Sequence, residues 1–108
     1  MNVLGIDIGG SGVKGAIVDI KSGELLSEKI RFPTPNKPTP KKIFDGIKSN
    51  ILDELKWDGN VGCGFPGVVK KNKIYSAANI EKKWIGLNLK KKFRKKFNLR
   101  CKAINDLS

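Results

Sequence analysis

The sequence predicts an α/β domain whose mixed sheet starts as an antiparallel meander and continues through helix-linked strands. Three observations predict it. Val3–Ile8, Val13–Asp19 and Leu25–Phe32 are β-branched, apolar runs separated by a glycine turn and by Lys21-Ser22-Gly23, so each folds back on the last. From about Lys41 to Leu55, residues Ile43, Phe44, Ile47, Ile51, Leu52 and Leu55 recur on one helical face. Strands Val61–Phe65 and Leu99–Ile104 flank a second helical stretch, in which Leu89, Phe93 and Phe97 form an apolar stripe.

The connectors follow from composition. Pro33-Thr34-Pro35-Asn36-Lys37-Pro38-Thr39-Pro40 is barred from helix and central strand and reads as a semi-rigid extended loop. Asp58-Gly59-Asn60 turns into the fourth strand, and Pro66-Gly67 breaks it. Val68–Val69 and Ile74–Tyr75 form a short hairpin around Lys70–Lys73. An irregular stretch from Ala77 to Gly86 precedes the second helix.

The most informative run is Gly5–Asp19. An apolar strand delivers Asp7, then Gly9-Gly10-Ser11-Gly12 turns the chain, and a second apolar strand ends in Asp19. Glycines let backbone N–H groups converge on an anion without Cβ obstruction, which makes the turn a natural phosphate cradle. Asp7 beside it suits Mg²⁺, which prefers a carboxylate plus substrate phosphate oxygens. The pattern points to phosphoryl transfer. Gly10-Ser11-Gly12-Val13-Lys14-Gly15 matches the dinucleotide G-x-G-x-x-G letter for letter, but Ala16–Ile20 continues as strand where that motif needs a helix. The G-x-x-x-x-G-K-[ST] loop is absent, and a chain without histidine holds no protein-kinase H-R-D. A hairpin whose glycines serve only the turn leaves four glycines or small residues and an acid at its entry unexplained.

Composition narrows the class. The chain of 108 residues is one modest domain. Its N-terminus has no signal-peptide pattern, and no apolar run reaches the roughly 18 residues of a membrane span. Cys63 and Cys101 are far apart and without CxxC spacing, which reads as free thiols in a reducing cytoplasm. The net charge of +12 is concentrated between Lys82 and Lys102, where no acidic residue stands. Phe93 and Phe97 read as core anchors rather than base-stacking platforms, because that helix has no other apolar face. Its lysines read as a solvated face, with a polyanion track as the functional alternative.

The segments Gly5–Gly15, Phe32–Pro35 with Pro38–Pro40, Trp57-Asp58-Gly59, Gly64–Val69, Ala77–Ile80 with Trp84-Ile85-Gly86, and Asn105-Asp106 together carry a resemblance. In this order, over nearly the whole chain, they resemble the N-terminal domain of polyphosphate glucokinases, in the ROK family of sugar kinases. The resemblance implies an actin-like/ribonuclease-H-like fold and transfer of a phosphoryl group from polyphosphate or ATP to the 6-hydroxyl of glucose. Carried over by position, Asp7 holds Mg²⁺, and Gly9, Gly10, Ser11, Gly12 and Lys14 face the phosphate. Gly67 brings backbone close to the sugar, Asn79 and Asn105 bind its hydroxyls, and Asp106 accepts the proton of the attacking hydroxyl.

Members of that family continue past the Asn-Asp pair into a second domain with further sugar contacts, including a glutamate and a histidine. This chain has no histidine and stops at Ser108, so the expectation is residues 1–108 as an N-terminal domain without its C-terminal partner domain. Related kinases dimerise, so a homodimer or a complementing C-terminal half is the implied partner, with no membrane and no nucleic acid. Two other classes fit parts of the chain. One is a non-catalytic basic domain that binds nucleic acid or another polyanion through Lys82–Lys102. The other is a sugar-binding regulator of the same fold.

Overall fold

Strands β1 (Asn2–Ile8), β2 (Gly12–Asp19), β3 (Ile30–Pro33), β4 (Val61–Gly64) and β7 (Cys101–Ala103) form one sheet in the order β3-β2-β1-β4-β7. The structure is a computed structural model and describes residues 1–77 and 80–108. Strands β1, β2 and β3 pair antiparallel, whereas β1–β4 and β4–β7 pair parallel. The expected meander and helix-linked strands are therefore both present. Strands β5 (Val69–Lys70) and β6 (Lys73–Ile74) make a separate two-residue hairpin. Its turn residues Lys71 and Asn72 both have positive φ, the geometry that matches the twist of paired strands.

The first helical region starts at α1 (Pro40–Ile47), where the Thr39 hydroxyl accepts from the Lys42 amide and Pro40 fills the first turn. It was expected as one continuous helix. Instead a π-helical turn, Lys48–Leu52, joins α1 to the last turn, α2 (Asp53–Leu55). The Ser49 hydroxyl donates to the Asp45 carbonyl and the Asn50 side-chain amide to that of Gly46, which supports the widened turn from outside. The turn seats Ile51 against Gly15 of β2, where a Cβ would come within 2.9 Å of the isoleucine. Helix α3 (Leu89–Phe97) is capped by Asn88, whose Oδ1 accepts from the Lys91 amide, and ends at left-handed Asn98.

The third strand is shorter than the expected Leu25–Phe32. Leu25 bridges Val18, but the Ile17 amide then donates to the Ser27 hydroxyl instead of a strand carbonyl, and pairing resumes only at Ile30. The hydroxyl completes the ladder where the backbone departs from it.

Both helical regions cover one face of the sheet. Leu4, Ile6, Ile8, Val13, Phe32, Val61, Cys63, Cys101 and Ala103 point into that layer and are buried. Phe44 of α1 meets Phe93 of α3 edge-on at 5.2 Å between ring centroids, with Phe97 at 6.0 Å, so both phenylalanines are core anchors. Trp84, in the 3-10 turn Lys82–Trp84, is fully buried against Phe44 and Phe65. Its indole N–H donates to the Pro38 carbonyl at 2.8 Å, tying the proline loop to the core. Cys63 and Cys101 are buried as free thiols. Their proximity and burial push the Cys63 thiol well above its ordinary range. Among the described residues no helix is long and apolar enough to cross a membrane.

Trp84 joins the loop, α1 and the β4 exit, so Trp84→Ala should lower stability by about 3–5 kcal/mol in urea unfolding. Lys41→Ala, which breaks only the exposed pair with Asp45, should stay within about 0.5 kcal/mol. A tryptophan loss no larger than the lysine one would contradict this core assignment.

Candidate active site

Parallel pairing brings the carboxyl ends of β1, β4 and β7 to one edge of the sheet. The loops that leave them carry the glycine turn, Phe65–Gly67 and Asn105-Asp106. This is the edge where open α/β sheets bind ligands. Asn79 was also expected here and lies outside the described residues.

Register defines a row on the open sheet face, opposite the helices. Arg31 pairs with Lys14, Lys14 with Asp7, and Asp7 with Gly64. The row places Lys14 beside the expected metal carboxylate and Arg31 one strand further out. Among the described residues the Asp7 carboxylate makes no hydrogen bond or ion pair. A Cβ at position 64 would stand 3.2 Å from Asp7 Oδ1, so Gly64 leaves that oxygen room. No cluster of three potential ligands exists among the described residues. A single unencumbered carboxylate next to a phosphate cradle fits magnesium, which keeps water and phosphate oxygens in its remaining positions.

The glycine turn is built by close approach. A Cβ at Gly9 would meet the Gly12 carbonyl at 2.9 Å, and one at Gly12 would meet Arg31 Nε at 2.6 Å. Thr34 buttresses the turn from the proline loop, its hydroxyl donating to the Gly9 carbonyl at 2.6 Å. The amides of Gly10 and Ser11 have no partner among the described residues, and both residues are exposed. Two free N–H donors and the Arg31 guanidinium thus meet at one turn, with Lys14 two residues along β2 beside Asp7. Sequence reasoning missed Arg31 and Thr34. Arg31 sits 17 residues after Lys14, and only the β2–β3 register makes them neighbours.

Asn105 is a bracket between two exit loops. Its Oδ1 accepts from the Phe65 amide at 3.2 Å, and its Nδ2 donates to the carbonyls of Phe65 at 2.9 Å and Gly67 at 3.2 Å. Both amide hydrogens are therefore spent on protein, and one Oδ1 lone pair remains without a partner among the described residues. At Gly67 a Cβ would lie 1.9 Å from the Ser76 carbonyl oxygen. The absence of a side chain at Gly67 thus lets the backbone approach the β6 exit.

Asp106 clasps the β5–β6 turn. Its Oδ1 accepts from the Lys71 amide at 2.9 Å and from the Ser108 amide and hydroxyl at 3.0 and 2.6 Å. Its Oδ2 accepts from the Asn72 amide at 2.7 Å and keeps a lone pair. These donors, the Ser108 hydroxyl foremost, hold the carboxyl well below the usual carboxylate range. The carboxylate is thus ionised at every physiological pH. Asn72 Oδ1 accepts in turn from the Ala103 amide, so the hairpin is pinned to β7 at two points.

Two predictions test this architecture. Gly67→Ala should force a backbone shift at Ser76 and destabilise by about 1–3 kcal/mol, measured by urea unfolding; a neutral effect would contradict the close approach. The folded pKa of Asp106 lies below its unfolded value. Its stabilisation is therefore complete above about pH 4 and is lost as acid reaches the depressed value. Asp106→Asn should be less stable than the parent at pH 7, with the gap narrowing between about pH 4 and pH 2. A gap constant over that range would show that charge plays no part in the clasp.

Residues 3–108 match the family model described as ROK family. The polyphosphate glucokinase of Mycobacterium tuberculosis is 41% identical over 85 residues, which cover 79% of this chain and 32% of that protein. The glucokinase of Streptomyces coelicolor is 33% identical over 109 aligned residues, 95% of this chain and 32% of that protein. Among solved structures, the inorganic polyphosphate/ATP-glucomannokinase of Arthrobacter sp. strain KM superposes with a TM-score of 0.87 at 35% identity, over 97% of this chain and 44% of that one. A ROK family glucokinase from Streptomyces griseus, in complex with glucose and AMPPNP, gives 0.81 at 28% identity over 97% and 33%. The actin-like fold expected from the motifs is the fold of these sugar kinases. The chain spans 26–32% of the length of the curated relatives it matches, and by the match over residues 3–108 it belongs to the ROK family.

Proposed function

We propose that residues 1–108 form the N-terminal domain of a sugar kinase that transfers a phosphoryl group from polyphosphate or ATP to the 6-hydroxyl of glucose. The observation that carries this reading is the convergence of a free-amide glycine turn, an unpaired carboxylate and an Asn-Asp pair on one sheet edge. Likeness to polyphosphate glucokinases at 41% identity supports glucose and polyphosphate, and the AMPPNP complex of a ROK glucokinase supports ATP as a second donor.

Phosphoryl transfer asks mainly for positioning and for stabilisation of charge on the phosphoryl oxygens. The Gly10 and Ser11 amides, Lys14 and Arg31 supply positive potential where a donor phosphate would lie. Asp7 would hold Mg²⁺, which when bound supplies further neutralisation of phosphate charge. Asn105 holds the β4 exit in place and offers Oδ1 to the sugar. Asp106 Oδ2 accepts the hydrogen bond of the 6-hydroxyl and takes its proton late, after bonding to phosphorus has made that hydroxyl acidic. A strongly ionised carboxylate is a weak base, which fits a transition state needing little early proton removal. Because the chain covers 26–32% of its curated relatives, the remaining sugar and donor contacts come from polypeptide beyond these residues or from a second copy.

The test is formation of glucose 6-phosphate with Mg²⁺ and either donor, alone and with Asp106→Asn. In a chain complete with those further contacts, the reading expects Asp106→Asn to cut turnover by at least about 10²-fold while the fold is retained, and residues 1–108 alone to show little or no turnover. Near-normal turnover in the variant would remove Asp106 from the proton-accepting role. If the parent shows neither turnover nor binding of glucose and Mg²⁺-tripolyphosphate, the kinase reading is wrong.

A further inference from the structure

Two concavities lie side by side along α3. One, of about 780 Å³, runs from Lys71 in the β5–β6 turn past Lys90 and Arg94 to Arg100. The other, of about 520 Å³, runs from Lys73 to Lys83 and Lys92. Lys91 and Lys95 line both, so the two form one tract. Nine cationic side chains and no carboxylate line it among the described residues. None of the nine makes an ion pair there, since the pairs present involve Lys41, Lys48 and Lys96. Lys91 and Lys95 are four apart on the helix, where like charges oppose each other. The helix tolerates this because Leu89 and Phe93 are fully buried. A tract that keeps unpaired repulsion on a folded helix is complementary to a long anion.

We infer that this tract docks the extended chain of an inorganic polyphosphate, outside the glycine-turn cradle. Absence of stacking surfaces decides between polyphosphate and single-stranded nucleic acid, whose binding sites pair cations with aromatic platforms for the bases. No aromatic side chain lines either concavity, and the two phenylalanines of α3 are turned onto Phe44. Tyr75 is exposed but lies outside both linings, near the Lys73 ammonium. A phosphate chain without bases asks only for cations. The tract starts at the turn that Asp106 grips, so a docked chain has one end beside the proposed transfer site. The identity of the anion rests on the functional reading above, whereas the docking surface does not.

The test is binding of end-labelled long-chain polyphosphate to the chain by fluorescence anisotropy between 50 and 200 mM salt, a span of roughly the kind used to expose counterion release. Lys91→Gln/Lys95→Gln should weaken binding at least about tenfold at the low-salt end and reduce the salt slope by about 1–2. Lys21→Gln/Lys56→Gln removes the same charge outside the tract and should weaken binding less, with circular dichroism confirming that both variants fold. Equal losses in the two variants, or no polyphosphate binding by the parent, would overturn the docking surface. An oligonucleotide of equal charge that binds the parent more tightly would make the tract a nucleic-acid surface and overturn the assignment to polyphosphate. Phosphoryl transfer from ATP needs no long chain, so it reports on the functional reading separately.

Discussion

The carboxylate of Asp106 gripping the Lys71-Asn72 turn is the interaction on which the ligand-facing edge depends. A two-residue hairpin with two left-handed non-glycine residues is marginal by itself. The amides of Lys71 and Asn72 on one carboxylate, itself steadied by the Ser108 amide and hydroxyl, and Asn72 reaching back to Ala103 hold it against the edge strand of the sheet. Asn105 does the same work one residue earlier, bracketing Phe65 and Gly67. Two adjacent residues thus join the exits of β4 and β7 and the hairpin beside them. A residue pair proposed to meet the sugar is also what shapes the place where the sugar would sit.

The sheet divides its two faces between stability and chemistry. Toward the helices it presents a continuous apolar layer sealed by Trp84 and three phenylalanines. On the other face the row Arg31–Lys14–Asp7 stands near the glycine turn, with no helix above it among the described residues. Charges that would be costly inside the helical layer stay in a solvated position, where they remain free to meet an anionic ligand. Glycine serves this face by removing side chains. Gly64 leaves room for the Asp7 carboxylate, and Gly12 for the Arg31 guanidinium.

Much of this is legible in the sequence itself. The β-branched apolar runs Val3–Ile8 and Val13–Asp19 and the apolar stripe of Ile43, Phe44, Ile47 and Ile51 report burial, so the first two strands and the first helix lie within a few residues of where the sequence puts them. What stayed hidden depends on tertiary register or on side chains acting as backbone. Nothing local in Arg31 or Thr34 says that they meet the glycine turn. The π-turn depends on Ser49 and Asn50 bonding back along the helix, and the short third strand on the Ser27 hydroxyl. Asp106 and Asn105 were legible as a polar pair at a strand end. Their grip on the hairpin and on Phe65 was not, because it joins residues 34 to 40 positions apart.

The central claim is that one edge of this sheet is a phosphate site formed by the glycine turn and Asp7. The most direct measurement is an amide NMR titration of the chain with tripolyphosphate in the presence and absence of Mg²⁺. The account predicts that Gly9, Gly10, Ser11 and Gly12 shift together, and that Mg²⁺ enhances the response at Asp7. Shifts confined to the lysines of α3, or none at the turn with either condition, would contradict it.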